Sequence, residues 1–293
     1  MHQKRIYVNS YDNIIIIIFN IISIMQPIQE IIHIIPLGHE FDRAIKPFED
    51  GKPNRIHLLS ISNTPKYSEE MLKRQAYFTG KVSTFLKEKG IRIVHHEVDL
   101  FDILEVMKHV SNIIVQEKAK GNLVLVNMSA CGRLTSIGAT LAAMAHDVTV
   151  YYVSADDYSL NVGDFNDHGL SKCTINKTIR FENFEFNLPD KISTSILVEL
   201  CRYGKGMTTK DIRGLLHDLN VPGFEIDADS IEKAEKNENR RLEKTKQLMK
   251  LEKSYLSHLE RIGYIRREKS GRNNIIYITD AGRYIAHISG MLE

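Results

Sequence analysis

The stretch GNLVLVNMSACGRLTSIGATLAAMAH (residues 121–146) decides how the first half of the chain is read. Residues 123–128 form a short apolar run, which predicts a buried strand rather than a half-exposed one. Residues 134–145 predict a helix whose Gly138, Ala139, Ala142, Ala143 and Ala145 leave little bulk, as a helix packed closely on a sheet requires. Between them lies a turn with a hydroxyl (Ser129), Ala130, Cys131, a glycine (Gly132) and a cation (Arg133) at a helix start. Free N–H groups and the helix dipole favour an anion there, so the turn is a candidate phosphate site.

Working outward, the same strand-then-helix alternation repeats. IIHIIPL, RIHLLSI, IRIVHHEVD and VTVYYVSA read as further strands, and YSEEMLKRQAYFTGKVSTFLKEKG and FDILEVMKHVSNIIVQEKAKG read as helices. Five strands separated by helices predict an α/β, Rossmann-like parallel sheet with right-handed crossovers. Ligands of such sheets bind beyond the C-terminal strand ends, where strand order reverses. The turn after residue 127 and PLGHEFDR after the first strand both suit that position. Residues 173–186 alternate like an edge strand or hairpin, and NLPDK looks like a linker.

The last third has a different grammar. STSILVELCRYGKG and TTKDIRGLLHDL predict short helices, the second N-capped by Thr208 or Thr209. An acidic insert, EIDADSIEKAEKNE, follows. Then come a long basic helix, a hairpin built on YIRREKSGRNNIIYITDAG, and a closing helix, RYIAHISGML. Three helices, a two-stranded wing and a helix describe a winged helix-turn-helix. Residues 239–273 hold 11 basic and 4 acidic side chains, although the whole chain carries a net charge of only +2. Concentrated charge of this kind suits double-stranded DNA. Arg266, Arg267, Lys269, Arg272 and Asn273 surround the wing turn. Arg240, Arg241, Lys244, Lys250 and Lys253 lie on the outer faces of the long helix, with Ser254, Ser257 and His258 suited to base edges or phosphates. Leu248, Leu251, Tyr255, Leu259 and Ile262 form its expected inner stripe. An ordinary solvated hairpin and helix face is the alternative.

Composition sets the remaining limits. At 293 residues the chain is long enough for about two domains. The expected division is 25–187 for the sheet domain and 188–293 for the DNA-binding domain. The three cysteines are widely spaced, so neither a disulfide framework nor a zinc finger is indicated, and a reducing, cytoplasmic setting fits. NIIIIIFNIISI (13–24) is short of the roughly 20 apolar residues a span needs. The expected reading is translation from Met25, with residues 1–24 a disordered or mis-annotated extension and no membrane association. His95 and His96 point to opposite strand faces and make a poor metal pair. No metal site or cofactor is expected.

Both halves together resemble archaeal regulators that join a CRISPR-associated Rossmann-fold (CARF) sensor to a winged helix. HIIPLGHEFDRAIKPFE (33–49) is similar to that family's turn after the first strand, with Gly38, Asp42 and Arg43 in place. LVNMSACGRLTSIGATLAAMA (125–145) is similar to its turn after the fourth strand, commonly Asn-x-Ser/Thr-Gly-Gly-Thr-Lys. Here Ala130 and Cys131 replace two glycines, Gly132 replaces a hydroxyl, and Arg133 replaces lysine, a change that retains bidentate phosphate binding. Losing the glycines restricts backbone approach, so the pocket is narrower, retuned or emptied. The resemblance implies a homodimer with a cyclic oligoadenylate effector across its two-fold axis.

On this reading Asn127 and Ser129 orient polar groups, N–H groups after Ser129 take a phosphate, and Arg133 neutralises it. Arg43 adds a second cation, and Asp42 holds Arg43 or binds a ribose hydroxyl. Helix capping and a local salt bridge are the competing roles of these four polar residues. Three functional readings stay open. The first is a ligand-responsive DNA-binding transcriptional regulator without enzymatic activity. The second is a cyclic oligoadenylate-cleaving ring nuclease using Ser129, Arg133 and a histidine such as His39. The third is a regulator with a degenerate pocket. A nucleophilic Cys131 lacks an assigned base. There is no G-x-S-x-G elbow or Walker loop.

Overall fold

The computed structural model describes residues 28–62, 65–183, 187–226, 237–270 and 273–292. Expectations for residues 1–24, for most of the acidic insert and for Arg272 fall outside them.

Strands β1 (Ile31–Pro36), β2 (Arg55–Ile61), β3 (Arg92–Val98), β4 (Leu123–Asn127), β5 (Thr149–Val153) and β8 (Thr178–Phe181) form one sheet in the order β3-β2-β1-β4-β5-β8. The first five run parallel, and β8 lies antiparallel to β5 at the edge. Order reverses between β1 and β4, whose following turns therefore meet. Between β1 and β2 the chain makes only α1 (Asp42–Ile45) and a 3-10 turn, Lys46–Phe48. Helix α2 (Glu69–Glu88), N-capped by Ser68, covers the same face over β2 and β3. Helices α3 (Ile103–Ala119) and α4 (Arg133–Ala145) cover the other face and enclose a core that includes Ile32, Leu59, Val126 and Val150.

The small residues of α4 have a more specific cause than closeness to the sheet. A Cβ on Gly138 would stand 3.1 Å from Ile103 Cγ1 and 3.3 Å from the Ile103 carbonyl oxygen, so this glycine admits α3. Ala139, Ala142 and Ala143 enter the shared core.

After β5 the chain makes an excursion that the sequence did not announce: β6 (Asp157–Tyr158), α5 (Val162–His168) and β7 (Ser171–Lys172). It folds back over α1 through a bridge between Glu40 and Gly169. Gly169 has φ +86°, and a Cβ there would sit 2.6 Å from the Phe41 nitrogen, so only glycine fits both the turn and the approach.

The C-terminal part contains α6 (Lys191–Tyr203), β9 (Met207–Thr208), α7 (Thr209–Asp218), α8 (Asn237–Leu251), α9 (Ser257–Arg261), β10 (Ile265–Ser270), β11 (Asn273–Ile278) and α10 (Asp280–Ile288). Asp190 caps α6, and Thr208 and Asp211 form a capping box on α7. Strands β10, β11 and β9 make the wing sheet. Helices α8 and α9 are continuous through a π segment, Glu252–Leu256. That wide turn moves the buried stripe to Leu251, Tyr255, Leu256 and Leu259, and leaves Leu248 and Ile262 at 39% and 38% exposure.

The two parts are not joined by NLPDK alone. Leu188 packs against both cores, and Ile288 of α10 enters the core beneath the sheet. Across this seam His287 Nδ1 donates to the Leu104 carbonyl (3.1 Å), His146 Nε2 to Ile288 (2.7 Å) and Asn112 to Leu292 (3.0 Å).

Candidate functional sites at the strand reversal and on the winged helix

The two turns predicted to form one site do meet. Gly38 N–H donates to the Ala130 carbonyl at 2.8 Å. Beside this contact lies a cavity of about 220 Å³, lined among others by Glu40, Gln75, Cys131, Gly132 and Thr135. Small-molecule sites run from about 300 to 1,000 Å³, so this cavity could house only part of a large effector.

Asn127 and Ser129, expected to orient a ligand, are buried and bond within the protein. Asn127 Oδ1 accepts from the Ser129 hydroxyl (2.6 Å) and N–H (2.8 Å), and its amide donates to the Arg43 carbonyl (2.9 Å). Ser129 Oγ accepts in turn from the Val153 N–H at 3.0 Å. Their types were legible from the turn, but their orientation was not, because it depends on α1 and β5 arriving from elsewhere.

Arg43, expected to add a second cation, is likewise held inward. It donates to the Tyr152 hydroxyl (3.0 Å) and the Ser129 carbonyl (3.4 Å), lies 5.1 Å from the Tyr152 ring centroid, and approaches Glu40 at 3.7 Å. Asp42 pairs with neither Arg43 nor open space. It accepts from His168 Nδ1 (3.0 Å) and the Cys173 N–H (2.9 Å), tying down the β6–β7 excursion. Gly132 caps α4 without a side-chain cap bond, and Arg133 is exposed at the first helical position. Of the expected ligand set, Gly132 and Arg133 are exposed, and Gly38 and Cys131 line the cavity.

Burial pushes the Cys131 thiol up to about 12, with the nearby Glu40 charge adding, so at neutral pH it is a protonated thiol and a poor nucleophile. Burial and then the Arg74 charge hold His39 below its ordinary value, so its ring is neutral.

Three residues of this cavity went unselected in the sequence. Gln75 donates to the Leu37 carbonyl at 2.9 Å while its buried Oε1 has no partner among the described residues. Thr135 donates to Leu100. Glu40, 5% exposed, accepts from the Ser171 hydroxyl (2.8 Å) and N–H (3.1 Å). Burial raises its carboxyl to about 7, opposed by the Ser171 bonds and Arg43. A carboxyl raised in the folded state stabilises least when ionised, so its contribution falls as pH rises from about 4.5 to 7. Glu40→Gln is therefore expected to gain on the wild type between pH 5 and pH 8 in paired urea titrations. A constant difference between the two proteins would contradict this.

The winged helix sorts its predicted DNA residues into outward and inward sets. Arg241, Lys253, Ser254, His258, Arg266 and Lys269 are exposed. Arg266 stacks 4.7 Å from the Tyr277 ring centroid and pairs with Glu268. His258 Nδ1 accepts from Arg261, and Ser257 donates to Glu252. Lys244 is half-buried, Arg240 lies in α8, and Asn273 starts β11.

Two assignments need correction. Arg267, 18% exposed by side chain, grips Glu252 through two bonds (2.7 and 2.9 Å) and meets Glu260 at 3.0 Å, clamping the wing to the long helix. It cannot reach DNA without releasing that clamp. Lys250 donates to the Pro222 carbonyl at 2.5 Å and packs over Gly223.

A Rossmann-like α/β domain followed by a winged helix is thus the class of protein that fold and sites define. Residues 31–158 match the family described as HFX_2341_N-like, N-terminal, and residues 192–290 match the DUF6293 C-terminal winged helix domain. That pairing fits the CARF-plus-winged-helix arrangement expected from the motifs. Comparison with curated proteins finds no match.

Among solved structures, Can2 from Sulfobacillus thermosulfidooxidans in complex with cyclic tetra-adenylate shares 13% identity over 87% of this chain and 61% of its own, at a TM-score of 0.36. Protein VC1899 from Vibrio cholerae shares 14% over 88% and 64%, at 0.37. Enterococcus italicus Csm6 bound to cyclic hexa-2'-fluoro-hexa-dAMP shares 13% over 80% and 58%, at 0.40. The chain spans less than two thirds of the length of each. At such scores these likenesses add nothing to the reading of the sites.

No described helix is long and apolar enough to cross a membrane. Among the described residues no cluster of His, Cys, Asp or Glu is placed to hold a metal ion.

Proposed function

We propose that this chain is a DNA-binding transcriptional regulator, acting as a homodimer in a CRISPR-linked archaeal setting and without enzymatic activity. Its sheet domain senses a cyclic oligoadenylate or related nucleotide at the β1/β4 turns. One observation carries the DNA-binding part. The Arg267–Glu252–Glu260 clamp fixes the wing against the long helix, so that Lys253 and Lys269 stand exposed on the two joined elements. Cations fixed on two elements can meet phosphates in a set register.

The sensing part is supported by the geometry of α4. This 13-residue helix starts at Gly132 in the turn and ends at His146, which bonds α10 directly after the wing. An effector that moves the helix start is thereby coupled to the wing. A specific observation also favours the degenerate-pocket reading: Asn127 and Ser129 bond each other, Arg43 is held by Tyr152, and the cavity is small. Catalysis is disfavoured by the protonated Cys131 and by a Ser129 hydroxyl already donating to Asn127.

The test is fluorescence anisotropy of a labelled duplex across a salt series, with and without cyclic tri-, tetra- and hexa-adenylate. Lys253→Ala and Lys269→Ala are each expected to weaken binding to all sequences and lower the log–log salt slope by about 0.9. Arg267→Ala is expected to weaken binding while lowering the melting temperature, because it loosens the wing. Unchanged slopes in both lysine variants would remove this surface as the DNA contact. An effector response lost in Arg133→Ala supports the sensor, and no response to any nucleotide leaves the degenerate-pocket regulator.

A further inference from the structure

The sheet has a second cavity, away from the strand-reversal turns. Because the β1–β2 connection is so short, the face carrying α1 and α2 is left open over β4, β5 and β8. The opening is about 520 Å³, well within the range of small-molecule sites. Its floor follows from strand register. His33 pairs with Leu125 and Leu125 with Thr149, and Tyr151 pairs with Arg180, so these side chains share one face.

The floor is aromatic and apolar, with polar groups on one side. The His33 ring lies edge-on to Phe48 (5.0 Å) and to Tyr151 (5.3 Å). Nδ1 of His33 is 2.9 Å from the Tyr151 hydroxyl, and its Nε2 has no partner among the described residues. Burial, then the Arg180 charge, lowers His33 to about 4, so the ring is neutral. In the tautomer whose Nδ1 accepts from the phenol, Nε2 bears the hydrogen and is a donor. Arg180 is exposed at the rim with no carboxylate partner among the described residues, whereas Lys52 lines the rim with its Nζ turned toward Gly90. No Asp or Glu is among the described residues lining the cavity.

We propose that this cavity is a binding site for a small aromatic carboxylate, separate from the nucleotide site. The ring lies among Phe48, Tyr151 and Leu125, and the carboxylate meets Arg180 and the His33 Nε2–H. An apolar body demands the floor, and a single anionic end demands an unneutralised cation on one wall. A neutral or cationic ligand would leave Arg180 unanswered.

Naphthalene-2-carboxylate is the probe, and its fluorescence reads without indole background because the chain has no tryptophan. The full chain is expected to bind it saturably, and Arg180→Gln to weaken it about tenfold, a change of about 1.4 kcal/mol. The neutral naphthalene-2-carboxamide is expected to bind wild type and Arg180→Gln equally, which also shows that the variant keeps its cavity. Leu123→Trp, at the exposed mouth, is expected to abolish binding of both, read for that variant by calorimetry. Absence of saturable carboxylate binding overturns the proposal. So does carboxylate binding that is indifferent to Arg180→Gln or to Leu123→Trp. None of these readouts involves DNA or a nucleotide, so the regulator reading stands or falls independently.

Discussion

Glu117→Ala is expected to destabilise the sheet domain by about 3 kcal/mol, the lower end of the cost of breaking a buried ion pair. Glu117 is 2% exposed at the C-terminal end of α3. It accepts from Arg55 (2.5 Å), Asn122 (2.7 Å) and Lys120 (2.9 Å), and His57 Nε2 lies 3.4 Å away. His57 in turn meets His96 at 2.8 Å, so the carboxylate anchors a polar cluster joining β2, β3 and α3. Removing it strands Arg55 and His57 in a low-dielectric setting, although Arg55 keeps Glu30 at 3.2 Å. That residual partner is why the lower figure applies.

The pH dependence has a definite sign. Burial alone would raise the Glu117 carboxyl, but hydrogen bonds from Lys120 and Asn122 and the pairing with Arg55 overcome it and hold the group at about 2. A depressed carboxyl stabilises the fold fully above its ordinary value near 4.5, and that stability is lost as pH falls toward 2. Urea midpoints at pH 7 and pH 3 are therefore expected to converge between Glu117→Ala and wild type as pH drops. A loss under about 1 kcal/mol at pH 7, the level of an exposed pair, would show that the cluster is not anchored by this carboxylate.

Gly282→Ala is expected to cost about 3 kcal/mol in the winged helix, at the upper end of ordinary overpacking. Its Cβ would lie 2.1 Å from the Tyr264 carbonyl oxygen and 2.8 Å from Ile278 Cγ1. The carbonyl cannot retreat freely, because it accepts from the Thr279 N–H at 3.1 Å, and Thr279 in turn caps α10 by accepting from the Gly282 N–H. Relief therefore has to come from moving α10, which carries Ile288 and the His287 bond to Leu104. The expected signature is a lower melting transition together with faster amide exchange along the α3–α10 seam. Gly214→Ala is the contrast. A Cβ on that exposed glycine, in the middle of α7, would meet nothing within 4 Å, and alanine there should stabilise by up to about 1 kcal/mol. Equal behaviour of the two variants would refute the packing account.

Much of this architecture was readable from local pattern. Leu123–Asn127 and Ile31–Pro36 are apolar runs because each is a central strand of a parallel sheet with most of its residues buried. The wing hairpin was readable because β-branched residues flank a basic glycine turn. Contact between the turns at Gly38 and Ala130 was not, because it follows from β1 lying beside β4, which tertiary packing decides. The β6–α5–β7 excursion was not readable: its elements are two, seven and two residues long, too short for a periodic signal, and Gly169 works through its fit against Phe41 rather than through any motif.

Side-chain roles divide along the same line. Residue type along the chain was enough to select Asn127, Ser129, Arg43 and Arg267 as polar groups of consequence, because hydroxyls, amides and guanidinium groups beside turns must bond to something. Which partner each one takes depends on segments 24 to 109 residues distant in sequence for Arg43 and Ser129, and on the helix preceding the wing for Arg267. Local pattern thus established the two domain types and the position of each candidate surface. Tertiary packing alone turned Asn127, Ser129, Arg43 and Arg267 inward, since burying a charge or an amide is tolerable only where the fold brings a partner to meet it.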